Sequence, residues 1–507
     1  MKTSIIEVLS KDELELIHSE TLKLLENVGI CVESKEARDL LEEHGANIIS
    51  NKTNFVSFPE ELVKESIKHV PKEFLLHGTP KENYSIKINM NNQHFGTFGA
   101  AVKTHDPNRS SRVRKTFLSD LNDHIRLVNM LKNISCSHLD VWPNDVPFTE
   151  LHYYALKEWG RFGIKPFGMS CYGRTPSLDM MKITSIIIGS EDELIKKPRL
   201  IGVFNPTSPL ILPHILLNGL FIFTKYHQPL LISAAASAGS TAPVTLAGVL
   251  TQANMEVLST IVLTQIINPG TPILYGSTNA IMDVITGNIA LGSIEMSLLT
   301  IASAQIAHFY QIPSKGSGCL TESKCFDLQN GFERFMGLSY AVNAGHNYIT
   351  CAGTYESAIS EALELLVIDD ELIGLLKRGI EGIKVNEETI AAKEIQKIGT
   401  TTRNYLGTKH SVKNTRKEIY VPRILNREKR GIWIRNGAKE LFQIATEKVQ
   451  ELLNESFESN LSKDVEHKLE KYHKKITSRT LEDYKKLEGI SDSSSSINIG
   501  GIDLDQK

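Results

Sequence analysis

Between residues 97 and 354 one texture recurs eight times: a short run of apolar or small residues, a turn signal, then residues at helical spacing. The runs are Thr97–Lys103, Ser135–Val141, Pro166–Tyr172, Arg199–Asn205, Pro229–Ala235, Pro272–Ser277, Pro313–Gly318 and Tyr348–Thr354. Several open on proline, which a strand tolerates at its first residue. Strands alternating with helices imply βα units, whose parallel sheet must be covered by helices. Eight such units over roughly 260 residues match the usual span of a closed barrel, so residues 96–365 are predicted to form an α/β domain, a (β/α)8 TIM-type barrel.

The flanks read differently. Residues 1–95 carry Leu14, Ile17, Leu22 and Leu25, then Ala37, Leu40 and Leu41, at helical spacing with Gly29 and Gly45 as stops, and are predicted to be an N-terminal helical module. Residues 366–487 are predicted to be a C-terminal helical extension, Lys/Glu-rich from Gly431 to Lys486, with a solvated face. The Ser-, Gly- and Asp-rich residues 488–507 are expected to be a disordered tail.

Charge narrows the partners. Fifty-six basic against 59 acidic side chains leave a formal net charge of −3, which gives no footprint for nucleic acid or a membrane surface. The partners expected are a small molecule or another protein. The N-terminus turns acidic before any long apolar run, and the apolar stretch Leu210–Phe223 is broken by Pro213, His214 and Asn218. A cytoplasmic location is therefore expected. The six cysteines lack CxxC spacing and are expected to be mostly free thiols.

In such a barrel, chemistry sits at the C-terminal ends of the strands. That rule selects Asp140 and Trp142, Tyr172, Asn205, the loop 234–243, residues 275–279, the loop 318–329, and Gly353, Tyr355 and Glu356. Trp142, Tyr172, Tyr275 and Tyr355 are aromatics at these mouths, and converging rings hold a quaternary or protonated amine with up to about 2 kcal/mol each when desolvated. Asn205 and Glu356 are the polar candidates beside them. The bland alternative is that these rings pack the core or rim. No GxxxxGK, HExxH or GxSxG pattern occurs, the histidines form no close pair, and no metal site is expected. The segment GCLTESKCFDLQNGFE, residues 318–333, places Glu322, Lys324 and Asp327 just past a strand end. A lysine there could form an imine or act as a nucleophile, or it could be a surface lysine paired with Glu322 or Asp327.

Several blocks, in order, carry a resemblance: FGTFGAAVKTHD, KPFGMSCYG, AGSTAPVTLAGVL, NPGTPILYGSTNAIMDVITGNIALGSIE, GCLTESKCFDLQNGFE and GTKHSVKNTRKEIYVPRILNREKRGIW. Over roughly residues 10 to 455 the chain resembles the trimethylamine methyltransferase family, corrinoid-dependent enzymes that include glycine betaine methyltransferases. The resemblance implies a (β/α)8 barrel that moves a methyl group from a methylated amine, trimethylamine or a quaternary amine such as glycine betaine, to the Co(I) of a corrinoid carried by a separate cognate protein. It also implies that Lys324 matches the position of pyrrolysine in the methanogen branch, with Glu322 and Asp327 beside it as catalytic candidates. The chain departs from the family's pattern at Asn330 and Val284, and it has no Asp-x-His-x-x-Gly corrinoid motif of its own. A homo-oligomer is expected. Two other classes fit the same residues: an aldolase-type barrel using Lys324 as a Schiff base, and a non-catalytic binder of methylated amines or of a corrinoid protein.

Overall fold

The computed structural model describes residues 5–81, 83–400 and 404–490, with the backbone of 498–499 and 502–503. Its centre is an eight-stranded parallel sheet: β1 (His94–Phe95), β2 (Ser137–His138), β3 (Phe167–Ser170), β4 (Leu200–Phe204), β5 (Leu230–Ala234), β6 (Ile273–Ser277), β7 (Ser314–Ser317) and β8 (Tyr348–Thr350). From β2 to β8 each strand pairs with the next in sequence, and β8 pairs with β1. The sheet curls until its edges β1 and β2 touch through a parallel bridge between Gly96 and Cys136, where the Ser135 N–H donates to the Phe95 carbonyl at 2.6 Å.

The prolines explain why the runs begin where they do. Pro166, Pro229, Pro272 and Pro313 stand one residue before their strands, and each offers its carbonyl to a neighbour's N–H, at 2.8 to 3.1 Å. A residue with no N–H can thus start a ladder by accepting only. β4, β5 and β6 are buried along their whole length, as strands covered on both faces must be. The first predicted run lies largely beyond β1: after Thr97, whose hydroxyl oxygen accepts from the His138 N–H of β2 at 3.0 Å, it crosses the mouth of the sheet, and Ala101 bridges Val141.

Each strand is followed by a helix on the outside: α1 (Leu118–Met130), α2 (Leu151–Phe162), α3 (Arg174–Ile188), α4 (His214–Lys225), α5 (Leu246–Ile267), α6 (Ile294–Phe309), α7 (Leu328–Asn343) and α8 (Leu363–Glu381). α5 is long and apolar enough to cross a membrane by composition, but 72% of that stretch is buried. It packs on the sheet side against β5 and on its outer side against the helices Lys11–Asn27 and Glu60–His69, so it needs no polar face.

The N-terminal segment is not purely helical, contrary to the sequence expectation. Helices Lys11–Asn27, Lys35–Glu43 and Glu60–His69 alternate with short strands, and a hairpin pairs Glu73–His77 with Ser85–Asn89. Phe74, Leu76, Ile86 and Ile88 of that hairpin pack with Cys136, Ile201, Val203, Leu231, Leu274 and Tyr348, so the hairpin plugs the N-terminal end of the curled sheet. At the other terminus, helix Leu441–Leu453 packs on α8, while Lys463–Thr477 and Leu481–Glu488 pack on α3, where Arg479 and Tyr472 bind the Asp179 carboxylate. The expected disordered tail lies outside the described residues after Ile490, apart from 498–499 paired with 502–503; Glu488 at its start caps α3 through the Arg174 and Thr175 N–H groups at 2.7 Å.

Candidate functional site

With its N-terminal end plugged, the curled sheet leaves a cavity of about 360 Å³ at the C-terminal ends of the strands. Its wall is built strand by strand: Phe98 after β1, His138 and Trp142 from β2 and its loop, Tyr172 after β3, Asn205 after β4, Thr278 after β6, Leu320 after β7 and Cys351 after β8. Trp142 stacks on Phe148 with ring centres 6.0 Å apart, and Phe148 in turn leans on Tyr172 at 5.8 Å. The Trp142 indole N–H is taken by the Leu139 carbonyl at 3.1 Å, which fixes the ring in the wall. Asn205 donates to the Ser233 carbonyl at 2.9 Å. No carboxylate lines this cavity among the described residues.

Two glycines make the interior possible. A Cβ at Gly168 would stand 1.8 Å from the His138 Nδ1, and one at Gly96 would stand 2.1 Å from the Tyr348 hydroxyl. Those two rings meet instead, His138 Nε2 to Tyr348 Oη at 2.7 Å. Burial pushes His138 down to about 4, so its ring is neutral, and its Nδ1 has no hydrogen-bond partner. The Tyr172 hydroxyl is also buried without a partner, and burial raises its pKa.

Of the residues selected from sequence, Trp142, Tyr172 and Asn205 meet in this cavity. Tyr275 does not line it: on β6 it faces the helix layer and donates to Asn254 of α5 at 2.9 Å, and Thr278, three residues on, lines the mouth instead. Tyr355 is buried behind the rim against Phe326, with ring centres 5.4 Å apart. Glu356 accepts from Ser360 at 2.7 Å and lies 3.7 Å from the Lys103 ammonium. Asp140 is buried beside His124 of α1, whose Nε2 is 3.3 Å away, while Nδ1 contacts Glu361 at 2.5 Å. Burial alone would lower His124, but carboxylates at both ring nitrogens raise it to about 10, an imidazolium that ties α1 to both mouth loops.

The polar loop after β7 organises the rim. Glu322 accepts from the Leu291 N–H at 2.6 Å and the Ser357 hydroxyl at 2.5 Å, and both of those residues line the cavity. Asp327 is the N-cap of α7, taking the Asn330 N–H at 3.0 Å, and that bond with one from Ser323 holds its carboxyl below the usual range. Lys324 is exposed outside the lining, and its ammonium donates to the Glu322 carbonyl at 2.7 Å rather than to either carboxylate. Opposite this loop, Glu356, Ser357 and Ala358 are three successive non-glycine residues in the left-handed region, at φ 51°, 54° and 64°. Such strain clusters where function over-determines the backbone. The Glu356 and Ser357 N–H groups hold it by donating to the Ser323 and Thr321 carbonyls.

Phe98, His138 and Cys351 of the wall escaped the sequence reading, as did Lys315 just behind it. Lys315 is fully buried on β7, donating to Thr278 Oγ1 and Ser317 Oγ, each at 2.9 Å, with its ammonium 5.1 Å from the Phe98 ring centre. A lone charge inside the small-residue run SKGS was the available signal.

A mostly apolar cavity with a few polar groups, set at the C-terminal ends of parallel strands, lies where α/β folds place their small-molecule sites. The chain belongs to the trimethylamine methyltransferase family, whose model matches residues 1–480. It is 32% identical to a glycine betaine methyltransferase of Desulfitobacterium hafniense (strain Y51), covering 92% of this chain and 96% of that protein. It is also 32% identical to a trimethylamine methyltransferase of Methanosarcina barkeri (88% and 90%) and 29% identical to one of Desulfitobacterium hafniense (strain DCB-2; 88% of each). A dihydropteroate synthase chain of Coxiella burnetii gives a TM-score of 0.37 at 12% identity over 60% of this chain and 98% of that one, a likeness too slight to bear on the fold.

Proposed function

We propose that this chain is a closed (β/α)8-barrel enzyme that moves a methyl group from a methylated amine to the Co(I) of a corrinoid held by a separate protein. The observation that carries this reading is the cavity itself: the rings of Trp142 and Tyr172 in its lining, few polar groups and no lining carboxylate among the described residues, in a chain whose relatives are named for trimethylamine and glycine betaine. A quaternary ammonium donates no N–H, so π faces suit it better than fixed acceptors. Once the nitrogen carries four carbons, the C–N electron pair returns to nitrogen as the methyl leaves and the amine departs neutral. The corrinoid supplies the nucleophile; this chain binds and orients the amine and excludes water.

A cavity of about 360 Å³ admits a small amine but not a corrinoid ring system, so the acceptor must come from outside. Val244, Val284, Ile285 and Leu328, all in segments that follow strand ends, are exposed apolar side chains suited to a docking partner. A cytoplasmic homo-oligomer serving such a partner fits this reading. At residue 324 we read an ordinary lysine that steadies the rim through the Glu322 carbonyl, rather than a pyrrolysine imine in the cavity. The mass of the intact peptide spanning residue 324 tests that point. For the activity, the purified chain is mixed anaerobically with cob(I)alamin and either glycine betaine or trimethylamine, and the Co(I) absorbance is followed. Accelerated loss with at least one methylated amine is expected; no acceleration with any, free or with the cognate corrinoid protein, overturns the proposal.

A further inference from the structure

Lys315 is fully buried just behind the cavity wall and has only neutral partners: Thr278, which lines the cavity, Ser317 and, at 3.4 Å, the Ser277 carbonyl. The titratable groups that face it from neighbouring elements are the Cys351 thiol, the neutral His138 and the neutral His346; no carboxylate pairs with it among the described residues. Burial lowers the lysine to about 8, which leaves most of it charged at neutral pH. A buried ammonium without an anion is costly, and an anionic group of a ligand in the adjoining cavity would relieve that cost.

A second observation points the same way. His138 is 2% exposed, lies in the cavity wall, and its Nδ1 is unpartnered. Its Nε2 is 2.7 Å from the Tyr348 hydroxyl, and the unpartnered Nδ1 packs against Gly168 of the same wall. Phe98 adjoins both groups, edge-on to His138 with ring centres 5.4 Å apart and with the Lys315 ammonium over its face 5.1 Å from the ring centre. That face already holds a cation, so the substrate's ammonium must use Trp142 and Tyr172. A plain methylammonium ion entering here would meet a like charge and no counter-ion.

We propose that Lys315 and His138 form a carboxylate-reading subsite, so that the amine this chain selects is a zwitterion with its quaternary nitrogen on the aromatic side and an acid group a few bonds away. The inference rests on the methylated-amine reading and adds the residues that decide between a betaine and a simple methylamine. Calorimetric titration of the full chain at pH 7, without corrinoid, tests it with glycine betaine, tetramethylammonium and trimethylamine. The betaine is expected to bind roughly 30-fold or more tighter than tetramethylammonium, and Lys315→Met to remove most of that preference while leaving tetramethylammonium binding equal or better. Equal affinities in the unaltered chain, or a preference that survives Lys315→Met, overturn the subsite. Failure of all three ligands to bind sinks the methylated-amine reading along with it. The ligand comparison in the unaltered chain decides the matter even if the variant fails to fold.

Discussion

Strand β7 and the loop it feeds each carry one lysine, nine residues apart, and the two have opposite surroundings. Lys315 is enclosed, with hydroxyls and a ring around its ammonium and no anion among the described residues. Lys324 is exposed in a segment full of carboxylates, yet those carboxylates are engaged elsewhere: Glu322 with Leu291 and Ser357, Asp327 with the start of α7, Glu333 with Thr321 and the Glu322 N–H. The difference teaches that polarity in a loop after a strand is ordinary, because its backbone must be satisfied at the surface. A single charge inside a strand is not ordinary, because burial there must be repaid by a ligand or a partner.

The comparison breaks first at the charges beneath the loop. Arg334 of α7 is buried against Asp369 of α8, Nε to Oδ1 at 3.0 Å, and Asp369 also takes the Gly353 N–H at 2.7 Å. Arg334→Met strands that carboxylate and is expected to cost about 3–5 kcal/mol, read as a lower urea midpoint. Lys315→Met removes a buried charge that had no anion, and its midpoint is expected to stay or rise. Equal losses in the two variants would erase the distinction between paired and unpaired interior charge.

Next comes the rim. Glu322→Ala leaves the Leu291 and Gly292 N–H groups and the Ser357 hydroxyl unpaired, for about 1–3 kcal/mol concentrated where these segments line the cavity. Faster amide exchange at 289–293 and 356–359, with a raised KM for the amine and a nearly kept kcat, is the expected pattern. Unchanged exchange would mean that the left-handed turn 356–358 holds itself.

What the sequence made legible follows from how far each determinant reaches along the chain. The proline-led strand runs are local, and each survives in the fold to within a residue or two at its start. The alternation Phe74, Leu76 and Ile86, Ile88 is equally local and marks the plugging hairpin, but it is hidden when residues 1–95 are read at one helical period. Trp142, Tyr172 and Asn205 follow from strand ends alone. Tyr275 fails the same rule because neighbouring side chains on a strand alternate faces, and a strand end fixed to within a few residues does not fix the face. His138 and Lys315 required the pairing of β1, β2 and β7, up to about 220 residues apart, and nothing local records that Phe98 would adjoin both.

A milder change sharpens the comparison through pH. Lys315 sits at about 8 against 10.5 in the unfolded chain, so between those values the unfolded state binds more protons and folding stability rises with pH. Betaine affinity moves the other way: it falls as pH rises through about 8, approaching about tenfold per unit, while tetramethylammonium binding tightens. Cys351 is raised by burial, and His138 and His346 lie near 4 and 3, so none of the groups facing Lys315 accounts for a transition at 8. Parallel pH curves for the two ligands would remove Lys315 from recognition.

The smallest effect is expected at Lys324. Its hydrogen bond to the Glu322 carbonyl is solvent-exposed, and losing such a contact shifts stability by no more than about 0.5 kcal/mol. Lys324→Ala should therefore melt with the unaltered chain and demethylate glycine betaine at a rate within about twofold of it. The same variant also separates the two branches. If residue 324 is pyrrolysine and its imine captures trimethylamine, the variant loses trimethylamine demethylation and keeps the betaine reaction, because a quaternary nitrogen needs no adduct to become a leaving group. If residue 324 is lysine, neither reaction changes. Loss of both at an unchanged melting temperature would return the loop lysine to the reacting centre and reverse the assignment of roles between Lys324 and Lys315.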